Sequence, residues 1–166
     1  MMRLFRLALG LMLIGVWLSI VFNNYVQFGG LKINWLLVFM LILTFRHSNL
    51  LLAFLGMLAG LIMDSLSHGI IGLYGTSFFL TLLLIIQVSK LFYANTFLAV
   101  SLAVFSMSIF EGWISLSMID MLEPGVELST NLLNSTLPVA FLQGLMTPII
   151  LQFVIWGEKL FLRDLA

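Results

Sequence analysis

The sequence has no cysteine, which excludes a disulfide framework, a thiol nucleophile and a cysteine-ligated metal centre. It also has little charge. Only 8% of its 166 residues are Asp, Glu, Lys or Arg, far below what the surface of a soluble domain carries. Seven basic residues balance seven acidic ones, so there is no electrostatic footprint for nucleic acid. Two histidines, His47 and His68, are too few for a histidine cluster. There is no phosphate-cradling lysine loop, no nucleophile elbow and no H-E-x-x-H pair. No series of acids and bases suits a proton relay. The chain therefore reads as non-enzymatic, with no cofactor and no metal.

What fills the sequence is apolar. Hydrophobic residues make up 62% of it, and mean hydropathy is +1.19. A bilayer core needs about 20 apolar residues per helix, so six spans use about 120. The expected fold is an all-α integral membrane protein of about six transmembrane helices, with residues 1–166 forming one polytopic domain. Arg3 and Arg6 precede the apolar run 7–22, which has the outline of a signal peptide. The run ends in Asn23 and Asn24 without a small-x-small cleavage pattern, so it reads as a retained first helix.

Charged and polar residues punctuate the remainder. They predict helices over about 4–22, 34–45, 50–64, 73–88, 96–119 and 132–156. A turn covers 46–49, a glycine-rich passage 65–72, an acidic loop 120–130, and a polar tail holds Glu158, Lys159, Arg163 and Asp164. The second and third helices are short for a bilayer, which leaves open a re-entrant hairpin there. Basic residues orient the six-span arrangement. With the N-terminus in the cytoplasm, Arg3, Arg6, Arg46, Lys90, Lys159 and Arg163 are cytoplasmic and Lys32 alone is outside. The expected location is a bacterial inner membrane, with both termini cytoplasmic. Tyr25, Trp35, Trp113 and Trp156 fall near helix ends, where aromatic anchors sit.

Three residues stand out chemically. Asp64 closes the third predicted helix, and His68 follows one helical turn later. The plainer reading of Asp64 is a carboxylate that caps or tethers the next turn; the functional reading is a ligand or partner contact. Glu111 lies about 22 Å into the fifth helix. An acid at that depth costs about 2.5 kcal/mol or more unless neutral, paired or wet, so it must face other helices. Asp64, His68, Glu111 and Trp113 are the candidate pocket or partner-interface residues. Gly56 and Gly60 form a small-xxx-small pair suited to close helix packing, within the bundle or against a partner helix. Gly69, Gly72 and Gly75 loosen the chain after Asp64. Pro148 interrupts the last helix and frees the carbonyl of Gly144.

These elements, in this order, resemble the MreD family of rod shape-determining proteins. The resemblance rests on Asn34-Trp35 opening the second helix, the Arg46-His47 turn, Gly60-Leu61-Ile62-Met63-Asp64, and Gly69-Ile70-Ile71-Gly72. Glu111, and Gly144 followed by Pro148, match features of the family's last two helices. Ile33 departs from the pattern, since a proline usually stands there. The likeness is best over 34–95. It implies a non-enzymatic scaffold of the cell-elongation machinery. Such a scaffold partners the single-pass protein MreC and, less directly, the RodA glycosyltransferase and a class B penicillin-binding protein. The family fold also looks like the substrate-binding components of energy-coupling-factor vitamin transporters. That sets the alternative expectation, a small-molecule-binding membrane subunit.

Overall fold

The structure is a computed structural model. It describes residues 2–25, 32–67, 71–90, 97–122 and 132–162, with side chains over 5–21, 32–66, 71–90, 97–122 and 133–160. His68 and Gly69 lie outside the described residues, as do 123–130 of the expected acidic loop and 163–166 of the expected tail. Among the described residues the chain is all-helical, without a strand. The helices are α1 (Met2–Tyr25), α2 (Trp35–His47), α3 (Leu50–Ser67), α4 (Leu73–Ser89), α5 (Phe97–Leu122) and α6 (Leu137–Leu162). A single π-helical turn, Leu132–Thr136, leads into α6. Pro138 has no N–H to return to the carbonyl of Asn134, which favours a wider turn at that point.

Five helices close a ring around the sixth. Neighbours around the ring are α1, α3, α4, α5 and α6, with α6 returning to α1, and α2 touches all five. The sequence of α2 explains its place. Every residue from Leu36 to Phe45 is buried, and nine of those ten are apolar. A helix that is hydrophobic all round belongs in the middle of a bundle. The ring helices instead present large apolar side chains outward, among them Leu13 and Trp17 on α1, Phe54 and Leu58 on α3, and Leu80 on α4. Leu98 and Leu102 on α5, and Leu145, Ile149 and Trp156 on α6, extend the same exposed belt.

Two helical segments, Phe97–Leu122 and Leu133–Leu160, are long and apolar enough to cross a membrane. Phe5–Val21, Trp35–His47, Leu50–Leu66 and Leu73–Ser89 are apolar but shorter.

The helix ends are capped by identifiable groups. Asn34 Oδ1 accepts the N–H of Leu37 at 3.2 Å, and Ser19 Oγ accepts that of Leu36 at 3.3 Å. These satisfy two of the orphan donors at the start of α2. At its other end Ser48 adopts a left-handed conformation, and its N–H returns to Thr44 O at 2.8 Å. Asn49 then starts α3 by accepting the N–H of Leu51. Most expected helices end later than their charges suggest. The largest correction is at α6, which runs through Glu158 and Lys159, expected in a polar tail. The helix continues because Glu158 is paired inside the bundle. Trp35, expected as an interfacial anchor, packs partly buried against the core.

Candidate functional site

Among the described residues, three polar centres interrupt the apolar interior. The first joins the C-terminal ends of α2 and α6. Arg46 donates through Nε to Glu158 Oε1 at 3.0 Å and through Nη2 to Oε2 at 2.8 Å. His47 Nε2 lies 2.9 Å from Oε1. The fork-to-fork geometry satisfies both carboxylate oxygens of a buried acid. Beside it, the hydroxyls of Ser48 and Ser89 are 2.6 Å apart, linking the α2–α3 turn to the end of α4.

The second centre is the corner between α3 and α4. Asp64 is buried, and its carboxylate caps the start of α4. Oδ1 accepts the N–H of Tyr74 at 3.0 Å. Oδ2 accepts those of Gly72 at 3.0 Å and Gly75 at 3.2 Å. An anion at a helix N-terminus, holding three otherwise orphaned donors, is favoured by charge and by hydrogen bonding alike. The glycines make the approach possible. Gly72 has a φ of +96°, which a side chain would strain. A Cβ on Gly60 would lie 2.5 Å from the carbonyl oxygen of Tyr74 and 2.7 Å from the Cα of Gly75. Leu82 occupies the space a Cβ would need at Gly56. The Gly56/Gly60 face is therefore filled by α4, so of the two expected uses of this small-residue pair the structure shows packing within the bundle.

The third centre is a cavity of about 270 Å³ near the same end of the bundle, lined chiefly by α5 with residues of α4, α6 and the π-helical turn before it. Glu111 faces it. Glu111 Oε1 accepts the hydroxyls of Ser115 at 2.9 Å and Ser77 at 3.3 Å. One turn deeper lie Ser108 and Gln143, from facing helices. Both are buried, and Ser108 Oγ and Gln143 Oε1 have no hydrogen-bond partner. Lys32 and Asn34, just before α2, Tyr74 on α4, and Ser135 and Thr136 on the π-helical turn complete the polar lining. Toward the mouth, Gly112 passes against Thr136.

The four expected site residues do not form one cluster. Asp64 caps α4 and does not line the cavity. It is separated by Tyr74, whose N–H serves Asp64 while its residue lines the cavity. Trp113 points outward, about half exposed, beside Phe110 at a ring-centroid distance of 6.3 Å. His68 lies outside the described residues. Gly144 packs against Phe105 Cβ of α5, and Pro148 lies within α6. Near it, Thr147 donates its hydroxyl to the carbonyl of Gln143 at 2.7 Å.

Sequence reasoning passed over Ser108 and Ser115, set Glu158 in a polar tail, and expected Gln143 to satisfy polar groups near Pro148, whereas its Oε1 is buried without a partner. The serines carried a usable signal, since positions 108, 111 and 115 share one helical face. Nothing local pairs Glu158 with a residue 112 positions away. Among the described residues no group of acids and histidines is arranged to hold a metal ion. Comparison with known protein families, curated proteins and solved structures finds no match to this chain.

Proposed function

We propose that the chain is a membrane-embedded, non-enzymatic scaffold of the bacterial cell-elongation complex, of the MreD kind, that binds MreC. Through it the chain supports peptidoglycan synthesis by RodA and a class B penicillin-binding protein. In this reading all six helices cross the inner membrane, with both termini cytoplasmic.

One observation carries the reading. The residues of the family resemblance work together as structural parts. Asn34 caps α2, Gly60 meets Gly75 backbone to backbone, and Asp64 closes the α3–α4 corner on Gly72. An ordered motif whose members cooperate in one architecture is better support than the same residues scattered as generic membrane features.

The exposed apolar belt of the ring supports placement in lipid. The enclosure of α2 supports six spans, because a helix walled in by five others need not match the lipid thickness. In lipid, helices associate through packing and buried polar contacts instead of water exclusion. The closed corner and the Arg46–Glu158 clamp give such a scaffold a fixed outer surface for a partner helix. Co-expression with MreC and purification from membranes tests the proposal: a stable complex is expected, and two folded proteins that do not co-purify overturn it.

The cavity favours a second reading, a substrate-binding membrane subunit of a transporter. Co-purification with an energy-coupling ATPase, in place of MreC, distinguishes it.

A further inference from the structure

The cavity beside Glu111 is unusual for what it leaves unpaired. Glu111 Oε1 holds two hydroxyl donors, yet its other oxygen receives none from the described residues. Ser108 Oγ and Gln143 Oε1 are buried without partners one turn deeper. A serine on a helix readily returns its hydroxyl to the preceding turn. Ser106 and Ser117 on the same helix do so, to Ala103 O at 3.1 Å and Trp113 O at 2.8 Å. Ser108 does not. Buried polar atoms left unpaired are costly, so they mark a place where something else supplies the partner.

The chemistry of that partner follows from the lining. Three oxygens converge from α5 and α6, and one belongs to an acid. They call for a cation with several N–H donors. Among the described lining residues the one cationic side chain is Lys32, which lies toward the mouth at the start of the α2 segment. We propose that the cavity binds a small molecule through a primary ammonium group, received by Glu111, Gln143 and Ser108, with an anionic group of the same molecule directed toward Lys32. An ethanolamine phosphate unit has this pattern. It is available as the headgroup of an aminophospholipid or as a free zwitterion. The volume of about 270 Å³ accommodates such a unit but not a large cofactor. The inference holds under either functional reading above and needs neither partner protein.

The test uses the full chain alone, reconstituted in phosphatidylcholine nanodiscs. In one arm phosphatidylethanolamine is added, and native mass spectrometry reads the lipid retained on the protein. In the other, O-phosphoethanolamine is titrated and the melting temperature followed. Saturable binding is expected in one arm, and the arm that responds identifies the source. Glu111→Gln removes the charge while keeping the shape, and is expected to weaken binding about tenfold or more. Ser108→Ala adds a readout that a structural role would not give. It is expected to weaken binding while leaving the ligand-free melting temperature unchanged or raised, since no internal hydrogen bond is lost. Two results overturn the proposal. One is the absence of saturation in both arms with folded wild-type protein, which makes the cavity a water pocket. The other is equal binding by wild type and Glu111→Gln.

Discussion

Glu158 and Glu111 lie on long apolar helices that pack against each other, Glu158 near one end of α6 and Glu111 midway along α5. Glu158 is paired at both oxygens: Arg46 takes each and His47 approaches one. Glu111 receives two serine hydroxyls on one oxygen and faces a cavity with the other. The contrast separates a carboxylate used to join helices from one held ready for a visitor. A clamp must pair both oxygens, because a half-paired buried ion destabilises the fold. A binding site must leave lone pairs available, and is stabilised when its ligand arrives.

Four substitutions probe that contrast, and Asp64→Ala is expected to have the largest effect. It strips the corner of an acceptor for three backbone N–H groups. The expected loss is about 3 kcal/mol or more, read from SDS titration or thermal unfolding in micelles. A loss near zero would remove the corner from the list of structural carboxylates. Gly60→Ala comes next. Its methyl group meets the backbone of α4, so a cost of about 2–3 kcal/mol is expected, with loosening of the α3–α4 contact visible by hydrogen exchange.

Glu158→Gln keeps the shape but breaks the charge pairing. Arg46 and His47 are partly exposed, which tempers the penalty to about 2 kcal/mol. Glu111→Gln in the ligand-free protein is expected to cost under about 1 kcal/mol, because an amide oxygen still accepts from Ser77 and Ser115. Equal losses for Glu158→Gln and Glu111→Gln would erase the distinction between clamp and site.

Much of the architecture is legible in the sequence. The helix-forming segments stand out because charges and turn residues separate apolar runs. Asn34 and Asn49 are readable as caps, since their side chains act within a few residues of where they sit. The plainer reading of Asp64 has the same local basis, its acceptors serving N–H groups only 8 to 11 residues on. The site is harder to read. Glu111 is conspicuous as a charge in a long apolar run, but its neighbours Ser108 and Gln143 are ordinary in composition. Their unpaired state appears only when α5 and α6 face each other. Trp113 sits two positions beyond Glu111, and that offset turns its ring to the exterior.

By itself, the sequence determined that this chain is helical, which segments form helices, and that few residues carry charge in an otherwise apolar protein. Periodicity, capping and hydropathy are local properties, and the chain states them directly. Tertiary structure alone decided which helix lies at the centre, that Glu158 belongs to Arg46 and His47, and that Glu111 has an oxygen to spare. Each depends on side chains distant in sequence meeting across a helix interface. With nearly every helix equally apolar, no hydrophobic pattern announces those meetings in advance.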